Sequence, residues 1–195
     1  MSRIIRSLLL AVIALVATAP AAHAAPTKRL DELLTTLWTN VLETPSAQNP
    51  FGTGGSAYAC FDLDGTVAPF APVSVESCTV STGTWIFVTG SSVECSTFEG
   101  NGTTDAELRE CARAGDLQAA PTVTIDGRAL PVTEVETPLM NITLPSDNIF
   151  GQPAGTQGLS VGHGWVVLLH PLTPGTHIIG IGDSVTTEII VQPGR

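Results

Sequence analysis

Basic residues are scarce in this chain, and their scarcity argues against a protein that binds nucleic acid or anionic lipid. The sequence has 18 acidic residues against 8 lysines and arginines, Lys28 being the only lysine, and its formal net charge is −10. Such an acidic surface repels phosphate backbones and anionic lipid. We therefore expect no nucleic-acid binding, and we interpret the acidity as a contribution to solubility.

Aromatic residues are also few, with 3 tryptophans, 6 phenylalanines and Tyr58 as the sole tyrosine. Carbohydrate-binding modules usually stack sugars on exposed aromatic rings. Here Trp38 falls on the apolar stripe of a predicted helix, and Trp85 and Trp165 lie inside apolar strand-like runs. We expect these rings to be buried in the core. Sugar binding is therefore an alternative and not our main expectation.

A hydrophobic run long enough to span a membrane is missing. The longest apolar segment, Ser7–Ala17, follows Arg3 and Arg6 and precedes Ala22-His23-Ala24. A positive start, a short apolar stretch and an A-x-A site are typical of a secretory signal peptide. We predict that residues 1–24 are a signal peptide that is cleaved off.

The remaining residues, 25–195, have the length of a single domain. No cysteine follows the apolar segment to carry a lipid, and the last residues are not an apolar tail. We therefore expect no membrane insertion after signal cleavage and a secreted, extracellular protein.

Four cysteines are present, Cys60, Cys78, Cys95 and Cys111. An even number in a secreted chain indicates two disulfides, for which three pairings exist. The spacings are too wide for a zinc-binding C-x-x-C pair. We prefer sequential pairing, Cys60 with Cys78 and Cys95 with Cys111, which closes two short loops.

Hydrophobic periodicity predicts a mainly β protein with a helix at its beginning. Apolar residues recur at helical spacing over about 27–44, before Pro45, which indicates an amphipathic helix. A second, short helix is expected at about Thr104–Ala114. The predicted strands are Thr84–Thr89, two strands in Pro121–Pro131 that meet at Asp126-Gly127, a strand-like stretch Val132–Leu144, and Gly164–Leu169, His177–Ile181 and Val185–Val191.

The turn Pro171–Gly175 between two of these strands has the length of a hairpin, so we expect the two strands to pair antiparallel. Strands with turn-length connections throughout predict an antiparallel β-sandwich with one N-terminal amphipathic helix and a short second helix.

One motif suggests an enzyme. The stretch Asp62-Leu-Asp-Gly-Thr66 resembles the nucleophile motif of haloacid-dehalogenase-type phosphatases, in which Asp62 would attack phosphorus and Asp64 would act as general acid and base. Thr89 and Asp183 resemble that family's later motifs, which bind phosphate and magnesium. A magnesium-dependent phosphatase is therefore the leading catalytic alternative.

Two features argue against the phosphatase interpretation. Its mechanism needs a cation at the phosphoryl group, normally a lysine, and no lysine follows the motif. Its sheet is parallel and requires crossover helices, and between Asp126 and Asp183 no helical period is found. Asp62 and Asp64 also suggest a calcium loop, but no third carboxylate follows. An Asp-rich turn is our main interpretation of this stretch.

Two further patterns suggest other chemistry. Gly158-Leu-Ser-Val-Gly162 matches the nucleophile elbow G-x-S-x-G around Ser160, but the strand before it and the helix after it are not predicted. His163, His170 and His177 invite a metal site, yet His163 and His170 would point to opposite faces of a regular strand. We therefore predict no metal and no cofactor.

The chain as a whole resembles an uncharacterised family of secreted bacterial proteins. The residues that carry the resemblance are Trp38, Pro45, Asn49-Pro50, Cys60, Cys78-Thr-Val80, Gly83, Asp126-Gly127, Gly164-Trp165 and Leu172–His177. The resemblance implies a small disulfide-bonded β-sandwich preceded by one amphipathic helix. It implies no activity, cofactor or catalytic residue, and "DLDGTVAPF" departs from the family's pattern after Cys60.

The sequence therefore favours a secreted, non-catalytic protein that binds an unidentified extracellular or envelope partner, either a protein or a glycan. The alternatives are a secreted hydrolase, with Asp62, Asp64, Thr89 and Asp183 as its residues, and a carbohydrate-binding module.

Overall fold

The structure is a computed structural model that describes residues 30–52, 59–70, 77–183 and 185–194. The predicted signal peptide, residues 1–24, and the predicted start of the first helix, residues 27–29, lie outside the described residues.

Two helices and eleven strands form the described chain, which is mainly β. Helix α1 spans Leu30–Glu43 and helix α2 spans Asp105–Gly115. A single 3-10 turn, Ser46–Gln48, follows α1. The strands are β1 (Ala59–Asp62), β2 (Thr66–Phe70), β3 (Ser77–Ser81), β4 (Trp85–Ser96), β5 (Val123–Ile125), β6 (Arg128–Leu130), β7 (Thr133–Glu136), β8 (Met140–Thr143), β9 (Gln157–Leu169), β10 (Gly175–Ile181) and β11 (Val185–Gln192).

The strands make two sheets. The larger sheet has the order β1-β2-β4-β9-β7, with β8 also paired to β9, and the smaller sheet has the order β3-β11-β10-β5-β6. Strands β4 and β9 are the long central pair of the larger sheet, and a bulge at Gly90 interrupts their register between Thr89 and Ser91.

Helix α1 covers one face of the larger sheet. Its apolar stripe, Leu33, Leu34, Leu37, Trp38, Val41 and Leu42, is buried. The stripe shares one apolar cluster with Phe87 of β4 and Val166 of β9. The predicted amphipathic helix is thus a core element over the part that the structure describes.

The opposite face of the larger sheet is covered by two elements. Val167 and Leu169 of β9 belong to an apolar cluster with Ile179 and Ile189 of the smaller sheet. Val161, on the same face because it is also an odd-numbered position of β9, packs against α2. The smaller sheet therefore covers one end of this face and α2 covers the other.

Both predicted disulfides are confirmed with the expected pairing. Cys60 of β1 is bonded to Cys78 of β3, with the Cα atoms 5.8 Å apart, and Cys95 of β4 is bonded to Cys111 of α2, with the Cα atoms 6.1 Å apart. The first bond links the two sheets, and the second fastens α2 to the larger sheet.

Two expectations about strand pairing are corrected. The sheets are mixed, because β2 pairs with β4 in parallel and β3 pairs with β11 in parallel. Strands β9 and β10 do not pair with each other: the segment that contains Pro171–Gly175 carries the chain from the larger sheet to the smaller one. A turn of this length permits either a hairpin or a step between sheets, and its composition does not distinguish the two.

Candidate functional site

The phosphatase-like stretch forms a tight turn between β1 and β2. Leu63 N donates to Thr66 O at 2.7 Å, and Asp64 and Gly65 both have positive φ, 56° and 76°. This is the geometry of a two-residue hairpin loop for which Asp-Gly is a preferred sequence. The Gly65 N–H also donates to Asp62 Oδ1 at 2.7 Å, so the first aspartate serves the turn.

The other phosphatase candidates lie elsewhere. Thr89 is four residues along β4 from Trp85, the partner of Thr66, a distance of roughly 13 Å along the strand. Thr89 lines a cavity of about 340 Å³ between the two sheets, but Asp62, Asp64 and Asp183 do not line it. Within the described part of the chain, no cluster of three or more His, Cys, Asp or Glu could hold a metal ion.

Ser160 lies in the middle of β9 and not at an elbow. It is completely buried, and its hydroxyl donates to the carboxyl of Glu94 across the strand pair. His163 is three residues further along and therefore points to the opposite face of the sheet. The nucleophile–base contact that this motif would need is not formed.

The three histidines are separated. His170 lies against Trp85, with ring centroids 4.5 Å apart, and His177 Nδ1 is 2.8 Å from Asp126 Oδ2. His163 is buried, with Nδ1 2.9 Å from Asp116 Oδ2.

Two further contacts surround His163. Its Nε2 is 3.2 Å from Glu134 Oε1. Ser91 donates to the other Asp116 oxygen and not to the imidazole. These contacts link β4, β7 and β9 to Asp116, the residue that follows α2. They do not include a serine that is activated by a base.

The candidate site that combines a concavity with perturbed carboxyl groups is a cleft between the last turns of α1 and the larger sheet, here named the Glu94 cleft. It encloses about 430 Å³. Its lining residues are Trp38, Val41 and Leu42 of α1, Ser92 and Glu94 of β4, and Phe51, Glu99, Ile149 and Phe150 from the connecting segments.

Strand alternation places Glu94 in this cleft. Ser92 and Glu94 point toward α1, while Val93 and Cys95 between and beyond them pack on α2. Gly162 is the partner of Glu94 on β9, and a Cβ there would lie 2.5 Å from Trp38 Cδ1. A glycine is needed at this position for the indole to approach the sheet.

Hydrogen bonds hold the aromatic walls in place. Trp38 Nε1 donates to Ser92 Oγ at 2.8 Å, and Ser92 Oγ donates to His163 O at 2.8 Å. Phe150 stacks on Phe98, with centroids 5.3 Å apart. The Asn148 side chain braces the loop around Phe150 by four bonds to backbone groups.

The two carboxyl groups of the cleft are electrostatically perturbed. Burial raises the pKa of Glu94 to about 7, the hydroxyl of Ser160 opposes this rise, and the neighbouring Glu99 adds to it. Burial also raises the pKa of Glu99, against a hydrogen bond from Ser96. Each of the two carboxyl groups also shifts the pKa of the other, so the pair titrates together.

No described basic side chain neutralises this pair. Arg109 and Arg113 are engaged by Glu136, and Arg109 also by Asp105. Arg128 begins β6, beyond the turn at Asp126-Gly127 on the edge of the smaller sheet. The cleft thus combines apolar and aromatic walls with two carboxyl groups that lack a described counter-cation.

Sequence reasoning missed both glutamates. The predicted strand ends at Thr89, because Gly90-Ser-Ser92 interrupts the apolar run. The available signal was the polar alternation of Ser92, Glu94 and Ser96 beside Cys95, which is typical of a strand with one polar face. The capping box of α2, Thr104 with Glu107, was a second overlooked signal.

Comparison with known proteins adds no relative. No protein-family model, curated protein or solved structure matches the chain. The family resemblance therefore stays an expectation. None of the described helices is long and apolar enough to cross a membrane.

Proposed function

We propose that this is a secreted, non-catalytic binding protein and that the Glu94 cleft is where it takes its ligand. The single observation that carries the proposal is the cleft itself, a preformed concavity of about 430 Å³ with apolar walls and two perturbed carboxyl groups. Ligand pockets in proteins typically have this size and this composition.

The proposed architecture is a β-sandwich with α1 on its outer face, as in the family that the sequence resembles. The apolar cluster shared by the two sheets supports it. The proposed extracellular location is supported by the two disulfides, which persist in oxidising compartments.

Binding is preferred to hydrolysis because the residues proposed for phosphoryl transfer are dispersed. Asp62 and Asp64 belong to a hairpin turn, whereas Thr89 lies in the cavity between the sheets. A sugar platform is also less well supported, since Trp38 is buried and Trp85 and Trp165 are each only partly exposed.

The binding proposal is tested by NMR titration of the mature protein with small aromatic compounds of cationic, neutral and anionic charge. Ligands should perturb backbone amides of the cleft, such as those of Leu42, Ser92 and Phe150. Replacing Phe51, a wall residue that is 45% exposed, by alanine should weaken binding by about 1 kcal/mol.

The matched control is Leu117→Ala, since Leu117 is 50% exposed and is absent from the cleft lining. That variant should bind as the wild type does. Ligands that map outside the cleft, or a complete lack of ligands at millimolar concentration, would contradict the proposal.

A separate assay addresses the phosphatase. Wild-type protein with magnesium should hydrolyse a generic aryl phosphate no faster than Asp62→Asn. Magnesium-dependent turnover that this substitution abolishes would restore the phosphatase and overturn the non-catalytic assignment.

A further inference from the structure

We propose that the Glu94 cleft binds an organic cation, an ammonium group, protonated or quaternary, on an apolar body; this inference rests on the binding function proposed above. It names the chemical class of ligand that the cleft's walls and charges fit together.

The first argument is charge. Glu94 and Glu99 lie side by side in the cleft, and burial disfavours the ionised form of each. The described arginines are occupied or distant: Arg109 and Arg113 pair with Glu136, and Arg128 lies at the edge of the smaller sheet. A positive group from the ligand would stabilise the ionised pair in a way that no described side chain does.

The second argument is the aromatic wall. Trp38, Phe51 and Phe150 line the same cleft as the two glutamates. Aromatic rings attract ammonium groups through their quadrupoles, and tryptophan does so most strongly. Rings together with carboxylates suit an alkylated ammonium, whose surface is partly apolar and whose charge is not satisfied by hydrogen bonds alone.

The third argument is the position of α1. Val41 and Leu42, in the last turn before the helix ends at Glu43, form part of the lining. The carboxyl end of a helix carries a partial negative charge that favours cations nearby. This contribution has the same sign as that of the glutamates, and it is reduced because the Asn49 side chain donates to Val41 O and Thr44 O.

The same features disfavour the other ligand classes. An anion would meet two carboxyl groups and the negative end of a helix. A calcium ion takes six to eight oxygen ligands and magnesium six in a near-ideal octahedron. The side chains that line the cleft offer two carboxyl groups and the hydroxyl of Ser92, which already donates to His163 O.

The test is isothermal titration calorimetry of the mature, disulfide-bonded protein with three probes that share a phenyl ring: benzyltrimethylammonium, benzyl alcohol and benzoate. At pH 8 the cation should bind about tenfold more tightly than the alcohol, and benzoate should bind more weakly than either. The charge of the quaternary probe does not change with pH, so any pH dependence comes from the protein.

Charge-removing variants identify the site. Glu94→Gln and Glu99→Gln should each weaken the binding of benzyltrimethylammonium about fivefold or more and leave benzyl alcohol within about twofold. Glu110→Gln, on the exposed surface of α2, should change neither. Glu99 is the more exposed of the two glutamates, so its variant tests the inference independently of any change in the stability of Glu94→Gln.

The pH profile is a further readout. Affinity for benzyltrimethylammonium should rise between pH 5 and pH 8, because protons compete with the cation for the carboxyl pair. Glu94 and Glu99, from β4 and the segment after it, are the titratable groups of the lining; α1 and the Ile149–Phe150 segment contribute none.

The outcomes separate the two proposals. Equal affinity for benzyl alcohol and the cation, or cation binding that both glutamine variants leave unchanged, would refute the inference and leave a binding cleft. A cleft that takes other ligands in the NMR titration but not benzyltrimethylammonium would also refute it. A cleft that takes no ligand in either experiment would refute the proposed function itself.

Discussion

Replacing Glu94 by glutamine should change how the stability of the protein depends on pH. The carboxyl of Glu94 lies under α1 with a pKa raised to about 7, chiefly by burial. Glutamine has the same shape and keeps an oxygen that accepts the hydroxyl of Ser160. The substitution therefore removes a titration and little else.

The magnitude follows from the pKa difference between the folded and unfolded chain. Moving the pKa of a carboxyl from its ordinary 4.5 to about 7 corresponds to about 3 kcal/mol, at 1.36 kcal/mol per factor of ten in the ionisation constant. This value is an upper figure, because Glu99 shares the titration and takes part of the effect.

The sign is set by proton binding. Between about pH 4.5 and pH 7 the folded state holds a proton on Glu94 that the unfolded state has released. The free energy of unfolding of the wild type should therefore fall as pH rises through this window. The difference in stability between Glu94→Gln and wild type should grow in favour of the variant from pH 4.5 to pH 8, to as much as about 3 kcal/mol.

The measurement is equilibrium unfolding in urea at several pH values with the disulfides intact, and Glu110→Gln is the control. Titrating groups that are neither substituted nor coupled to Glu94 contribute equally to all three proteins and cancel in the differences, whereas the coupled titration of Glu99 is part of the measured effect. A Glu94→Gln curve that stays parallel to the wild-type curve between pH 4.5 and pH 8 would show that this carboxyl is not perturbed, and our account of the cleft would then be wrong.

Three further outcomes are expected. Trp38→Ala should destabilise the protein by about 3–5 kcal/mol in urea unfolding, because the indole is buried between α1 and the larger sheet. Trp38→Phe should cost much less. Unchanged stability in the alanine variant would mean that the helix does not pack on the sheet. Asp126 raises the pKa of His177, so the contribution of His177 to stability should be full below about pH 6.5 and be lost as pH rises through the higher folded pKa. A double-mutant cycle of His177→Gln and Asp126→Asn, measured as a function of pH, checks this. A coupling energy that grows at alkaline pH would contradict it. Gly65→Ala should lower the free energy of unfolding by about 1 kcal/mol, since φ is 76° and the added Cβ meets no atom within 4 Å. A larger loss of stability in the same unfolding assay would mean that the turn is packed against a neighbour.

Local patterns in the sequence were sufficient for several elements. The apolar stripe of α1 repeats at helical spacing, and the structure buries it. The Asp126-Gly127 hairpin and the Asp64-Gly65 turn follow from the positive φ that each requires. These features depend on residues that are close in the chain, so spacing and residue type are enough to predict them.

Strand length and strand partnership were harder to predict. β4 continues from Trp85 to Ser96 through Gly90-Ser-Ser92, and β9 begins at Gln157, before its apolar run. In these halves apolar positions, such as Val93 and Cys95, alternate with polar or glycine positions on the face of Glu94, so they lack the continuous apolar run of the other halves. Pairing across the central strands keeps these halves extended.

The sequence by itself determined the mainly β class, the amphipathic helix, the two disulfides and the meaning of "DLDGT" as a turn, because each depends on short-range spacing or on a small number of cysteine pairings. Only the tertiary structure decided that β9 and β10 belong to different sheets and that Trp38, Glu94 and Phe150 share one cleft. These three residues are far apart in the chain, and their contact depends on register, on the missing side chain of Gly162 and on the seating of α1. The perturbation of Glu94 follows from burial, which a sequence pattern does not measure.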